Sequence, residues 1–307
     1  MSVRLSIGDS IRQALSSVHT VVFPTTERER ERRRIAIMTI PFFALAIFAG
    51  FVPLATMLRM SLSEERLFNE GWSVDAWETL ATDRTYWWIG FNTLWFAAAA
   101  TLVSVAIGVA VAHALEKYSL PFERVIVAAV SFPIALPGIV VAFMVVVLLG
   151  RQGLLTQTVA FFSGQSTIDL ATATTIGGLF LGYVYSLIPR ATMILRGTYA
   201  EVNTDAEEAA RSLGASPFET FRHVTLPEIR PGIVAAAILV FRSALAIFGT
   251  VLILQGGFVV VTLRIDRELA VGFNSQIAGA IGVVYVAFLI AFTFIGLRFV
   301  RAEQVAI

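Results

Sequence analysis

Glu208-Ala209-Ala210-Arg211-Ser212-Leu213-Gly214, followed nine residues later by Val224-Thr225-Leu226-Pro227, is a polar island between long apolar runs. Thr204 and Glu207 stand at the Ser/Thr-x-x-Glu spacing of a capping box, which predicts a short helix starting near Asp205. Gly214 suits the left-handed position that ends such a helix. Ser216-Pro217-Phe218-Glu219 repeats the box with Pro at the first helical position, predicting a second helix to about Val224. Pro227 and Pro231 then punctuate the approach to the next apolar run. The reading is a helix, Gly turn, helix knob over about 200–230. Ala209 and Ala210 leave its first helix smooth enough for a partner groove to approach closely, and Glu208 can pair with a partner Arg or cap backbone. Phe218 and Phe221, three apart, would pack the second helix back on its neighbours. A two-helix loop with no partner is the plainer alternative.

Outward from the knob the chain is apolar. It is 57% hydrophobic, with a mean hydropathy of +0.77 and 15% charged residues, where a soluble domain carries about 25%. Six runs can cross a hydrocarbon core: about 35–58, 89–115, 125–150, 174–195, 233–256 and 277–297. The expected class is therefore an all-α, six-span membrane protein, with residues 1–34 as a separate N-terminal segment, 35–300 as the spanning domain and 301–307 as a tail. Leu5, Ile11, Leu15, Val18 and Val22 fall on one helical face, which suggests a surface-lying amphipathic helix before the basic run Arg28–Arg34; a partly ordered tail is the alternative.

Positive charge sets the expected orientation. Sixteen of the 23 Lys and Arg lie in the N-terminal segment, the 116–124 loop, the 190–230 segment and the C-terminus; six lie in the alternate loops, and Arg242 is inside a span. Both termini and the knob are therefore expected in the cytoplasm. Outside, Tyr86, Trp87 and Trp88 read as an interfacial aromatic belt, with a docking surface for an external protein as the alternative.

Several function classes are disfavoured. Arg residues lie at membrane edges and form no single basic face, so nucleic acid is not an expected partner. There is no Cys, hence no disulfide and no thiolate metal site, and neither a metal nor a catalytic set is expected. Lys117 is the only lysine and lies outside any Gly-x-x-x-x-Gly-Lys-Ser/Thr pattern, so this sequence has no P-loop. The expected spans contain no Asp or Glu, which weighs against a proton-coupled carrier, and His113 reads as interfacial.

Pro133, Pro137 and Gly138 in the third span must kink or break it, and backbone freed there has to be buried or to line a cavity. Arg242 in the fifth span should face the interior, a water-filled path, or snorkel. Ser243, Gly249, Asn92 and Tyr185 are further path or gate candidates, with Tyr183, Ser186 and Tyr285 behind them. Packing kinks and interhelical hydrogen bonds are the plainer alternatives.

The 208–227 pattern resembles the EAA loop of ABC importer permeases; Val224 stands where that family usually has Ile. The Pro-x-x-x-Pro of the third span resembles permeases for polyamines, thiamine, iron(III), molybdate and sulfate. Phe248-Gly249, the Gly256-Gly257 turn and Thr262-Leu263-Arg264-Ile265, expected as strand-like, are similar to thiamine and iron(III) permeases. Ile247 stands where related permeases often have Glu, and Ser212-Leu213-Gly214-Ala215 differs from the Asp-Gly-Ala form of sugar permeases. The resemblance implies the type I ABC importer, MetI-like fold, a permease subunit of the cell (inner) membrane. It implies that Glu208, Ala209, Ala210, Arg211, Leu213, Gly214, Leu226 and Pro227 couple to an ATPase, and that Pro133, Pro137 and Gly249 gate. Implied partners are two ABC ATPase subunits, a homologous or identical second permease, an extracytoplasmic solute-binding protein and the lipid bilayer. No cofactor is expected on this chain, since ATP and Mg would sit on the ATPase. The cargo classes are thiamine, polyamine, iron(III), phosphonate or oxyanion. The competing reading is an ATP-independent transporter or channel with a regulatory knob; an intramembrane enzyme lacks its residues.

Overall fold

The computed structural model describes residues 27–64 and 71–305, so the surface helix expected before residue 27 lies outside the described residues. The chain divides into two units, Met1–Arg59 and Met60–Ile307. The described residues of the first belong to one helix, α1 (Glu27–Ser61), running without interruption from the basic run into the first apolar span. Pro41 and Pro53 lie inside it, and Thr56 Oγ1 donates to the Pro53 carbonyl at 2.8 Å.

The second unit is built of helices joined by turns and short loops, with no strand among its described residues. The segment before the second span holds α2 (Asp75–Thr82), and the second span is α3 (Arg84–Lys117), started by an Asp83 side chain that accepts from the Thr85 N–H. The fourth span is α8 (Ile176–Tyr199), packed closely on α3. A Cβ on Gly108 of α3 would lie 2.7 Å from the Ala191 Cβ, so only glycine allows this approach. Phe96 anchors the core, with ring centroids 5.0 Å from Tyr183 and 5.1 Å from Phe258; Ala100, Leu179, Leu187, Val251 and Leu263 close around it. The last span is α14 (Ser275–Val305).

The third and fifth spans depart from single helices. The third, expected over 125–150, is α4 (Glu123–Ser131), a 3₁₀ turn (Phe132–Ala135) and α5 (Gly138–Leu149), followed after Gly150–Gly153 by α6 (Leu154–Ser163). Neither Pro133 nor Pro137 can donate to the ladder, and a residue before Pro is pushed toward extended backbone. Leu136 accordingly has ψ 129 and Pro137 ψ 142 before the helix resumes. A four-residue helix, α7 (Thr167–Leu170), leads on to α8.

The fifth span, expected over 233–256, stops at Leu245 and restarts as α12 (Gly249–Leu254). Its carbonyls at the break find side-chain donors. Tyr285 donates to the Leu245 oxygen at 2.6 Å and Tyr183 to the Ile247 oxygen at 3.4 Å. Thr262-Leu263-Arg264-Ile265, expected as a strand, lies in α13 (Val261–Ala270). An Arg264–Glu268 pair at 2.6 Å one turn apart favours the helix, and Leu263 is buried on its inner face.

Candidate functional site

Two regions carry the residues singled out from sequence. The first is the knob: α9 (Thr204–Ser212), a turn, and α10 (Pro217–Thr220). Gly214 has φ +92, the left-handed geometry expected of it. The Ser216 box is complete: Ser216 Oγ accepts from the Glu219 N–H, and Glu219 accepts from the Ser216 N–H at 2.8 Å. The bonds this carboxyl accepts from the Ser216 N–H and, at 2.7 Å, from the Ser216 hydroxyl hold the exposed Glu219 below the usual carboxylate range.

The first expected box does not form. Asn203 caps α9 instead, accepting from the Asp205 N–H at 2.9 Å. Glu207 is thereby free to turn inward, where it is 2% exposed. Lys117 Nζ, at the end of α3, donates to it at 2.7 Å, Thr225 Oγ1 donates at 2.6 Å, and Arg211 pairs at 3.4 Å. Burial pushes this carboxyl up, but the hydrogen bonds from Lys117 and Thr225 and the charges of Lys117 and Arg211 outweigh it and hold it below its ordinary value. A charge this deep is tolerable only with such partners. Arg196 of α8 adds a pair to Glu116 at 2.5 Å, so the base of the knob is laced by ions.

With Glu207 facing in, Glu208 and Ala209 face solvent, and Ala210 is half-buried. Leu213 is 89% exposed and Phe218 68%. Phe218 therefore does not pack back as expected; Phe221 does, its ring 4.8 Å from that of His113. Nor does the chain break near Pro227. Phe221–Thr225 form a π turn in which the Leu226 N–H reaches the Phe221 oxygen, five residues back, and the helix continues as α11 (Leu226–Leu245). In a regular helix the Pro227 ring would meet the carbonyl four residues before it; the wider turn relieves that.

The second region is where the broken third and fifth spans cross. A Cβ on Gly249 would lie 3.0 Å from the Ile139 nitrogen, and one on Gly138 3.2 Å from the Thr250 nitrogen. Thr250 Oγ1 donates to the Gly138 oxygen at 3.0 Å, tying one break to the other. Beside this crossing opens a cleft of about 400 Å³, whose wall includes Pro133, Gly138, Ser243 and Gly249. Pro137 caps α5 at its edge. Three expected path residues are elsewhere. Asn92 accepts from Trp95 on α3, while Tyr185 and Arg242 are not part of the cleft wall, although Arg242, exposed in the last turn of α11, adjoins Ser243.

The structure adds residues that sequence reasoning missed. Arg190, counted above with the cytoplasmic segment, sits inside α8 and lines the cleft with Ser186 and Thr250. An arginine one turn after a serine in an acid-free apolar run was the available signal. Tyr86 also leaves the expected belt: its hydroxyl meets Glu268 and Arg264, both at 3.3 Å, while Trp87 and Trp88 stay exposed.

The model of the binding-protein-dependent transport system inner membrane component family matches residues 104–303. A probable sulfate transport system permease protein of Chlorokybus atmophyticus is 31% identical over 206 residues, 67% of this chain and 67% of its own length. A probable molybdenum ABC transporter permease protein of Haloferax volcanii is 33% identical over 53% of this chain and 57% of its own. A thiamine transport system permease protein of Brucella abortus is 28% identical over 66% of this chain but 37% of its own length. The chain thus spans only part of the curated relatives it matches. Among solved structures, a bacterial ABC transporter involved in import of the acidic polysaccharide alginate superposes with TM-score 0.76 at 16% identity, covering 89% of this chain and 96% of that one, a likeness of fold. Among the described residues, six helices are long and apolar enough to cross a membrane. This multi-pass inner-membrane chain therefore belongs to the binding-protein-dependent transport system inner membrane component family, the ABC importer permeases.

Proposed function

We propose that this permease couples to a separate ATPase through the knob and passes a small solute along the crossing of its broken spans. The observation that carries the reading is the two-sided character of α9. Its inner face is pinned through Glu207 to Lys117 and Thr225, while Ala209, Leu213 and the nearby Phe218 are presented outward. A smooth, partly apolar knob fixed from behind suits docking into a groove on another protein, because little side-chain entropy remains to be lost there. In this reading Glu208, Ala209, Ala210, Arg211, Leu213 and Gly214 form the contact, and Leu226 and Pro227 carry it into the fifth span. Pro133, Pro137, Gly138 and Gly249 form the gate. ATP and Mg belong to two ATPase subunits. A second permease, identical or homologous, completes the path, and an external binding protein delivers the solute. Both termini and the knob lie in the cytoplasm, as the Lys and Arg distribution supports.

The test is mild-detergent purification of the full chain from its own membrane, with mass spectrometry of what accompanies it. The wild type is expected to bring a P-loop ATPase. Gly214→Pro, which cannot adopt φ +92, and Leu213→Glu are expected to lose that ATPase while still inserting. Recovery of the chain without an ATPase after crosslinking, or full retention by both variants, overturns the coupling role.

A further inference from the structure

We propose that the cleft at the crossing of the third and fifth spans is a binding site for a soluble oxyanion, with Arg190 as its recognition group. The inference rests on the reading of this cleft as part of the transport path, and it narrows the cargo class.

Among the described residues, Arg190 is the only ionisable one in the cleft wall, which is otherwise Pro133, Leu136, Gly138, Ser186, Ser243 and the segment Ala246–Thr250. One of its N–H groups donates to the Ser186 carbonyl at 2.8 Å. Among the described residues no carboxylate pairs with it, and its remaining donors have no protein acceptor. The contrast with Arg196, six residues along the same helix, is informative: that side chain is paired with Glu116 at 2.5 Å. An arginine within an apolar bundle is costly unless its charge is answered, and no acid stands near to answer it. The guanidinium presents a planar fork of donors matched to oxyanions such as sulfate, molybdate or a phosphonate. The cleft, at about 400 Å³, has the capacity of a small-molecule site. The same charge disfavours thiamine, polyamines and free iron(III), all cations.

The chain contains no cysteine, so Ser243→Cys places a single thiol in the cleft. The test uses the full chain with its co-purified partners in nanodiscs of zwitterionic lipid. The thiol's reaction rates with an anionic (sulfonatoethyl) and a cationic (trimethylammonioethyl) methanethiosulfonate are compared with those at a control away from the knob, Gln165→Cys, exposed in the loop between α6 and α7. Relative to the control, the cleft thiol is expected to favour the anionic reagent by about ten-fold, the scale on which a cleft of one charge sign concentrates counter-ions. Sulfate or molybdate at constant ionic strength should slow that labelling, and chloride should not. Arg190→Gln should erase the preference and Arg190→Lys should keep it, which covers the case in which the Gln variant fails to fold. A cleft preference equal to the control, one that follows Arg242→Gln rather than Arg190→Gln, or suppression by anionic lipid but not by sulfate would each overturn the proposal. Loss of the anion preference in a preparation that retains its ATPase sinks the oxyanion site alone. An intact preference in a preparation that never recovers an ATPase sinks the importer reading alone.

Discussion

The knob and the span crossing face the same problem with opposite materials. Each holds a chain that has left regular helix and must find partners for the backbone groups so freed. At the knob, in water, local side chains cap the backbone, Asn203 on the Asp205 N–H and Glu219 on the Ser216 N–H, and the Glu207–Lys117 ion pair ties the knob down. At the crossing they are neutral. Tyr285 and Tyr183 cap the carbonyls of the fifth-span break, Thr250 bridges to Gly138, and two glycines let the backbones touch. Hydroxyls satisfy a carbonyl without bringing charge into a low-dielectric interior, where an unpaired ion would be expensive. The knob can therefore be loosened by pH and the crossing cannot.

The sharpest way to break the contrast is Glu207→Ala. It strands Lys117, 13% exposed at its side chain, beside Thr225 without an acceptor. Breaking a buried pair in this way costs about 3 kcal/mol, read as a lower unfolding temperature and early proteolysis within 204–225. The same carboxylate gives the pH dependence. Its pKa is depressed in the folded chain, so its contribution is fully present above the unfolded value of about 4.3 and is lost as pH falls through the lower folded value. A fluorophore at Ser212→Cys should hold constant anisotropy from neutral pH to about 5 and gain mobility below about 4; a probe at the crossing should not respond.

Gly249→Val comes next. Its Cβ would press on the Ile139 nitrogen at 3.0 Å, with two further methyl groups to place. Overpacking of this kind costs about 1–3 kcal/mol, and thermal unfolding in detergent measures it. Tyr285→Phe removes the 2.6 Å bond to the Leu245 oxygen and should cost about 1 kcal/mol, with no change in pH dependence. Ser216→Ala should be mildest, at roughly 0.5–1 kcal/mol for a lost cap, and confined to the knob in hydrogen exchange.

The two regions also differ in how far they could be read from sequence. Gly214 and the Ser216 box were legible because their partners lie within three residues. The Thr204–Glu207 box had the correct spacing and failed because Asn203 stood one position earlier as a competing cap. That released Glu207 to a lysine 90 residues away, which no local pattern records. Phe218 was misassigned for a similar reason: spacing shows which residues share a face, not which face is covered. In the membrane the third-span break was legible from Pro133 and Pro137. The fifth-span break was not, because no proline falls between Ala246 and Phe248. It is held from outside, by Tyr183, Tyr285 and the close approach of Gly249 to Ile139. Arg190 went unnoticed because its place in α8 counts for more than its sign.

The π turn at Phe221–Thr225 has a mechanical consequence. Because the helix passes through it without a loop, Pro217–Leu245 is one strut of 29 residues, about 43 Å long at 1.5 Å per residue. One end is the exposed face of the knob, and the other is the gap at Ala246–Phe248, beside the cleft. Such a strut stores little slack, so an axial load applied at Phe218 is delivered to that gap rather than dissipated along the way. The first compliant joint that the load meets is the wall holding Ser243 and Gly249.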